Sequence, residues 1–193
     1  MQEWSYKMEM HKPLGPGQLL LAEPFMPDEN FRRAVVLLCK HDEINGSVGF
    51  VINRPIQLTL SDLISMESSV DYPVRLGGPV GTDSIQCIHG FRDIPGTIGI
   101  HKNLFWGGDF DVIRKRILQA EEPQPNVLFF LGYSGWGANQ LREEIQDSSW
   151  IVTPLDDVSL FRLAPDSLWK NILFAMGGPY AEMANYPETP ELN

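Results

Sequence analysis

The side chain best suited to covalent chemistry in this sequence is the hydroxyl of Ser134, in the glycine-rich segment Gly-Tyr-Ser-Gly-Trp-Gly at 132–137. An apolar run at 127–131 precedes the segment and predicts a buried strand. A helical apolar stripe follows it, from about 138 to 145. Strand, tight turn and helix are the setting of a G-x-S-x-G nucleophile elbow, although Trp136 stands where that motif needs its last glycine.

A nucleophilic serine needs a general base, and the four histidines of the chain all precede Ser134. The α/β-hydrolase order places the histidine after the serine, which argues against that triad. A hydrolase or transferase of another topology, with His89 as the base for Ser134, is the alternative that we keep. The favoured interpretation is structural, with the Ser134 hydroxyl capping the next helix, so we assign no catalytic residue.

The same segment has the features of an anion-binding site. Its glycines let a ligand approach the backbone, and a helix beginning near Gly135 would direct unpaired N–H groups at one spot. In Asn53-Arg54-Pro55 the proline holds Arg54 extended, so that its guanidinium could meet a carboxylate or a phosphate. For Arg54, a structural role in bonding loop carbonyls is equally supported.

Gly77-Gly78, in the segment GGPVG, is a third candidate, although by itself it predicts only a turn. If the three loops converge, they form one pocket for an anionic small molecule or for a carboxylate of a partner protein. The predicted ligand-binding residues are then Asn53, Arg54, Gly77, Gly78, Tyr133, Ser134, Gly135 and Trp136.

Cofactor and metal motifs are absent from the sequence. It contains neither a G-x-x-x-x-G-K-[ST] segment nor a G-x-G-x-x-G segment that opens a helix. His41-Asp42-Glu43 lies on one turn, and no second His/Cys cluster has the spacing of a zinc site. We therefore predict no cofactor and no metal.

The elements that must position these residues are mostly strands in the first half of the chain and helices in the second. Runs of apolar residues predict strands at 17–23, 34–39, 47–52, 74–76, 84–89, 98–100, 127–131 and 150–153, with an Asn45-Gly46 turn joining the second and third. Helical stripes predict helices at 60–65, 109–121, 138–145 and 166–176. This order favours an α+β fold over a doubly wound one.

The totals describe an ordinary globular chain of 193 residues, with 43% hydrophobic and 21% charged residues. We predict a single domain, 1–193, with an N-terminal arm at 1–15 and a surface tail at 185–193. The formal net charge of −10 argues against direct binding to DNA, because DNA affinity rests largely on Lys and Arg.

The N-terminus, MQEWSYKMEM, has no apolar h-region, so no secretory signal is predicted. No apolar run approaches the length of a membrane span, which argues against a membrane protein. Cys39 and Cys87 are isolated and form no disulfide framework. Together these features predict a protein of the reducing cytoplasm.

Taken in order, several motifs resemble the bacterial YqgE/AlgH family, over about residues 17–176. They are Gly17-Gln18-Leu19-Leu20, Asn53-Arg54-Pro55, Gly77-Gly78-Pro79-Val80, His89, the segment 132–137 with Leu141 and Glu143 or Glu144, and Trp150. The resemblance implies a mixed β-sheet curled into a pseudo-barrel and flanked by helices. Members are commonly labelled transcriptional regulators, through a link to exopolysaccharide production, yet no DNA-binding motif defines this functionally uncharacterised family.

The hypothesis favoured at this point is a binding or regulatory module that acts through a small anionic ligand or a protein partner. The alternative is the hydrolase or transferase that uses Ser134 with His89. Homo-oligomerisation through an edge strand near Ile98 or Trp150 is a further expectation.

Overall fold

The computed structural model describes residues 13–65, 71–119, 126–155, 160–162 and 164–188. The strands are β1 (Gln18–Ala22), β2 (Val35–Asp42), β3 (Gly46–Val51), β4 (Pro55–Thr59), β5 (Pro73–Leu76), β6 (Val80–His89), β7 (Thr97–His101), β8 (Leu104–Gly107), β9 (Val127–Trp136) and β10 (Trp150–Pro154). The α-helices are α1 (Leu60–Leu63), α2 (Phe110–Leu118), α3 (Gln140–Gln146), α4 (Leu168–Met176) and α5 (Gly178–Met183). No helix among these residues is long and apolar enough to cross a membrane.

The ten strands of the described residues belong to one mixed sheet, in which eight follow the order β10-β1-β2-β3-β9-β6-β8-β7 and β4 and β5 lie off this path. β5 pairs with β9 in parallel, β4 pairs with β5, and the other ladders are antiparallel. The sheet curls into a half-barrel, so that Leu19 of β1 and Ile100 of β7 share one buried core. The predicted α+β fold with a curled mixed sheet is confirmed.

The inside of the curl, here called the concave face, holds the largest core. It is built from alternating apolar side chains of the strands, including Phe50, Ile88 and Phe130, which are fully buried. α4 packs on this core through Leu168, Trp169 and Leu173.

The outer face of the sheet carries two smaller cores. α1 and α2 cover β5, β6 and β9 through residues such as Leu60 and Ile113, while α3 covers β2 and β3 through Leu141. Helices therefore flank both faces, as the family resemblance implies.

Two local predictions are confirmed, the Asn45-Gly46 turn and a helix that starts at residue 60. The Asn45-Gly46 turn joins β2 to β3, and α1 begins at Leu60 with the backbone N–H of Thr59 donating to Asp62 Oδ2 over 2.8 Å. Asp109 Oδ1 accepts from two N–H groups of the first turn of α2. That helix was predicted to reach residue 121 and ends at Leu118, with 120–125 outside the described residues.

Other elements differ from the prediction. β4, β8 and α5 were not predicted. α4 ends at Met176, where the helix predicted at 166–176 was expected to end, and α5 begins at Gly178 after Gly177, whose φ is 70°. The surface tail predicted at 185–193 is described up to residue 188, where Tyr186 is 41% exposed and stacks on Phe25 with ring centroids 5.7 Å apart. Most of the predicted N-terminal arm, residues 1–12, lies outside the described residues.

The predicted strand–turn–helix around Ser134 is wrong. β9 runs on to Trp136 through the whole glycine-rich segment, and α3 begins only at Gln140. The segment stays extended because it is paired on both edges, with Gly49 opposite Ser134 on β3 and Val80 opposite Tyr133 on β6. Both the elbow and the helix N-terminus at Gly135 require a turn that the chain does not make, so both interpretations fail.

Candidate functional site

Ser134 and His89 are fully buried and lie far apart. His89 is opposite Val127, seven residues from Ser134 along β9, which corresponds to about 23 Å. The Ser134 hydroxyl donates to the carbonyl of Gly77 over 3.0 Å instead of capping a helix. The structure therefore does not bring the nucleophile and base of the enzyme alternative together.

The imidazole of His89 is held by two backbone groups. Its Nδ1 accepts from the N–H of Phe91 (3.2 Å), which places the proton on Nε2, and Nε2 donates to the carbonyl of Gly107 (2.8 Å). The rings of Phe91 and Phe105 stack on it at 5.4 and 6.0 Å. Both nitrogens are thus occupied inside the protein.

Arg54 takes the structural role. Its Nη1 donates to the carbonyl of Glu29 and its Nη2 to the carbonyl of Arg32, each over 3.0 Å. These bonds fix the loop between β1 and β2. Burial lowers the pKa of Arg54, and the carboxylate of Asp28 opposes that shift.

Asn53 fastens the same loop through its amide. Its Oδ1 accepts from the N–H of Val35 (2.8 Å) and its Nδ2 donates to the carbonyl of Arg33 (2.9 Å). The Asn-Arg pair thereby joins the end of β3 to the start of β2.

Arg54 also lies away from the glycine-rich part of β9. Its carbonyl accepts from Leu76, which is paired with Leu131, and Gly135 lies four residues further along β9, on the order of 13 Å. The pocket that was expected to combine Arg54 with a helix N-terminus is therefore not formed.

Gly77 and Gly78 belong to a chain crossing. β5 and β6 lie on opposite sides of β9, since Phe130 is paired with both Arg75 and Gln86, yet only residues 77–79 connect them. This connection, here called the crossover, passes over β9 at Gly132. A Cβ on Gly77 would lie 2.4 Å from the carbonyl oxygen of Gly132. These glycines permit close contact between two backbones, and this contact accounts for them without a bound phosphate.

Three predicted residues, Tyr133, Gly135 and Trp136, do line an open pocket. It lies at one end of the concave face, has a volume of about 330 Å³, and is here called the concave groove. The other lining residues are Lys40, Asn45, Gly46, Ser47, Val48 and Val80. Four neighbouring strands, β2, β3, β9 and β6, contribute to it.

A β-bulge in β2 turns Lys40 towards the groove. Leu38 is opposite Gly49 and Lys40 is opposite Val48, so Cys39 is an extra residue between two adjacent pairs. Cys39 belongs to the concave core and Val48 packs against it, which places the paired Lys40 on the same face. Without the bulge, strict alternation would turn Lys40 to the outer face.

Lys40 is the one charged side chain in the described lining of the groove. It is exposed and makes no ion pair or hydrogen bond with the described residues. The carboxylate of Asp42 lies within its electrostatic reach, but Asp42 Oδ1 already accepts from Ile44 N, Asn45 N and Asn45 Nδ2. The bonds from Asn45 and Ile44 are the main cause that lowers the pKa of Asp42.

The aromatic wall of the groove is Tyr133. Its ring lies between Gly81 and Gly135, where an added Cβ would come within 3.3 Å of a ring carbon in each case. Its hydroxyl makes no hydrogen bond to a described residue. Val80 is 39% exposed beside it. The groove thus combines an apolar floor and wall with two polar groups, the Lys40 ammonium and the Tyr133 hydroxyl, that have no hydrogen-bond partner within the described chain.

Lys40, Val48 and Val80 could not be predicted as lining residues from the sequence, because they come from different strands and only the register brings them together. The Asn45-Gly46 turn was the one available signal, since it located the hairpin that carries the groove's rim. Among the described residues, no group of three or more His, Cys, Asp or Glu side chains is placed to hold a metal ion.

Comparisons with known proteins give one consistent result. Residues 19–181 match the profile of a family described as AlgH-like. A UPF0301 protein of Bacteroides fragilis is 40% identical, covering 92% of this chain and 90% of its own length. A UPF0301 protein of Cytophaga hutchinsonii is 37% identical, covering 93% of this chain and all of its own.

Two solved structures share the fold. The solution structure of the AlgH protein from Pseudomonas aeruginosa matches with a TM-score of 0.70 and 28% identity, over 91% of this chain and 98% of that one. The crystal structure of a Corynebacterium diphtheriae protein matches with a TM-score of 0.74 over 96% of this chain and 100% of that one. Its identity is 18%, so it bears on the fold alone.

Proposed function

Because the chain belongs to the AlgH-like family, whose UPF0301 relatives carry names without an activity, we propose that it is a non-catalytic binding module. Its ligand is a small anion, held in the concave groove. We place its action in the regulation of a cytoplasmic process, following the label that the family carries, with a protein partner responding to the ligand.

The observation that carries this proposal is the position of Lys40. A bulge directs this ammonium group onto the concave face, beside an open volume of about 330 Å³. The whole chain has a formal net charge of −10, so its general field repels anions. The ammonium of Lys40 is therefore a local positive charge in a molecule that is negative as a whole, and this supports local anion binding at the groove.

The enzyme alternative has no comparable support. Ser134 and His89 are buried, separated and bonded to backbone groups. Within the described lining of the groove the one serine is Ser47, whose hydroxyl forms a 2.7 Å hydrogen bond with His41 Nδ1. This residue is only 4% exposed, so its hydroxyl is not presented to a ligand in the groove. A binding role accounts for the geometry without a reaction.

The test is a thermal-shift screen of nucleotides, phosphorylated metabolites and acyl carboxylates on the wild type, on Lys40→Gln and on Lys115→Gln. A ligand at 100 times its Kd should stabilise the wild type by about 2.7 kcal/mol, or roughly 5–10 °C for a domain of this size. We expect the shift to disappear in Lys40→Gln and to persist in Lys115→Gln, the matched exposed lysine on α2.

Two results would contradict the small-ligand proposal. One is a screen in which no anion raises the unfolding temperature, which would leave a protein partner as the sole ligand of the module. The other is a shift of equal size in wild type and Lys40→Gln, which would place the anion elsewhere on the molecule.

A further inference from the structure

We infer that the concave groove selects small monocarboxylates with a flat or branched apolar body, and discriminates against phosphate esters. This inference rests on the proposed function and specifies its ligand. The carboxylate meets the ammonium of Lys40 and the hydroxyl of Tyr133, while the apolar body lies over Gly135 between Val48 and Val80.

The size of the groove limits the ligand. A volume of about 330 Å³ is at the small end of the range of roughly 300–1,000 Å³ for ligand pockets. The floor at Gly135 has no side chain, and the Tyr133 ring stands next to it. A single aromatic ring or a short branched acyl chain fits over this floor.

The apolar lining determines the body of the ligand. Val48 and the Tyr133 ring are half-buried against the concave core, and Val80 is 39% exposed. These side chains present apolar surface to water, and an apolar group of the ligand would cover it on binding. A ligand without such a group, such as inorganic phosphate, would leave that surface exposed to water.

The polar groups determine the head group. Within the described lining, one ammonium and one phenol have no hydrogen-bond partner, and these two donors match the two oxygens of one carboxylate. A phosphate dianion is usually held by an Arg fork, by several cations or by a helix N-terminus. The described lining of the groove has one cation and no Arg. The N–H of Gly137 beside it is already bonded to Gln140 Oε1 over 2.9 Å.

The experiment measures Kd by ligand-observed NMR titration for the carboxylates benzoate, phenylacetate and isovalerate. Two comparison ligands are titrated in the same way: benzamide, which lacks the negative charge, and phenyl phosphate, which carries a phosphate in place of the carboxylate. The proteins are wild type, Lys40→Gln, Tyr133→Phe and Lys115→Gln. We expect the carboxylates to bind the wild type and benzamide to bind at least about 10-fold more weakly, since a hydrogen bond to a charged group is lost.

The variants test the two donors separately. Lys40→Gln should weaken benzoate about 10-fold or more, Tyr133→Phe several-fold, and Lys115→Gln not at all. Urea unfolding of each variant verifies that it is folded, and Tyr133→Phe retains the ring that packs on the core.

The outcomes separate this inference from the function on which it rests. Phenyl phosphate that binds as tightly as benzoate, in a Lys40-dependent manner, would overturn the carboxylate inference and leave the anion-binding module standing. Benzamide that binds as tightly as benzoate would overturn both. If Lys40→Gln loses carboxylate binding and Tyr133→Phe binds like the wild type, the inferred contact between the carboxylate and the Tyr133 hydroxyl is wrong.

Discussion

At the scale of single residues, the carboxylate of Glu144 organises the aromatic cluster on the outer face of the sheet. Its Oε2 accepts from Trp136 Nε1 (2.8 Å) and from Trp150 Nε1 (2.7 Å), and its Oε1 accepts from Gln140 Nε2 (2.8 Å). Both indoles are nearly buried and meet edge to face at 5.9 Å. One side chain of α3 therefore satisfies the polar atoms of two strands.

Removing that carboxylate should be costly. Glu144→Ala leaves two buried indole N–H groups without an acceptor, and we expect a loss of about 2–4 kcal/mol in the free energy of unfolding. The measurement is urea unfolding followed by tryptophan fluorescence. Glu143→Ala, the exposed neighbour on the same helix, is the control and should lose less than about 0.5 kcal/mol. Equal losses in the two variants would refute the role of Glu144.

His89 makes a prediction about pH. Burial lowers the pKa of its imidazole below the ordinary value of 6.5, and the positive charge of Arg116 lowers it slightly further. The unfolded chain therefore takes up a proton first on acidification. The contribution of the neutral His89 imidazole to the free energy of unfolding is therefore fully present above about pH 6.5. It is lost as the pH falls from there towards the folded-state pKa.

The check is the free energy of unfolding at pH 8 and pH 5 for wild type and His89→Gln. The variant should be less stable at pH 8, because it disrupts the stacked imidazole, but it should lose less stability between the two pH values. His101→Gln controls for the removal of an imidazole as such. Parallel losses in wild type and His89→Gln would contradict the prediction.

Residue types and spacing predicted Tyr133, Gly135 and Trp136 as site residues, and these three line the groove. Types and spacing did not predict that Ser134 is buried or that Arg54 binds loop carbonyls. Ser134 looks reactive in the sequence because a hydroxyl between glycines is compatible with a tight turn. Its burial follows from the ladder with β3, a contact between residues more than eighty positions apart. Arg54 had two equal interpretations, and only the carbonyls of another loop decided between them.

At the scale of elements, the crossover between β5 and β6 makes the sharpest prediction. In Gly77→Ala the new methyl group would meet Gly132 O at 2.4 Å and Phe50 Cδ1 at 2.9 Å, and backbone atoms have little room to move. We expect a loss of about 3 kcal/mol or more in the free energy of unfolding, measured by urea denaturation.

Gly99→Ala on β7 is the matched control, since among the described residues, its chain neighbours apart, no atom lies within 4 Å of its added Cβ, and its backbone is not in the left-handed region. There the substitution should be neutral or stabilising, by about 0.4–1 kcal/mol. A Gly77→Ala protein as stable as Gly99→Ala would show that the two backbones at the crossover can separate.

The elements with strong local signals were predicted well. The β2–β3 hairpin has its Asn-Gly turn, and α2 has both a capping aspartate and an apolar stripe. The continuation of β9 and the bulge at Cys39 have no such signal, because pairing partners distant in sequence impose both. The position of Lys40 follows from the bulge, so the groove could not be predicted from local pattern.

At the scale of the whole molecule, the net charge of −10 predicts no direct binding to duplex DNA. Electrophoretic mobility shifts at low salt, where phosphate contacts are strongest, should show free DNA at all protein concentrations tested. A basic DNA-binding protein on the same gel is the positive control. A shifted band that weakens as salt is raised would contradict this prediction and show that the protein binds DNA directly.

The overall architecture was predictable in two steps of different kinds. The order of elements indicated α+β, and the family resemblance supplied the curled sheet, which no periodicity in the chain encodes. Homo-oligomerisation stays a prediction. The two ends of the main strand order, β10 and β7, are the edges at which it would occur, and Ile98 on β7 is 46% exposed.

The position of β9 in the sheet also constrains the order in which the chain can fold during synthesis. β9 lies between β3 and β5 on one side and β6 on the other, yet it begins at Val127 and is synthesised after all three. Until it arrives, the nascent chain exposes three unpaired strand edges, and the short link at 77–79 already spans the gap that β9 must fill. We expect chains truncated before Val127 to aggregate rather than fold, so premature termination should be far more harmful than loss of the last helices.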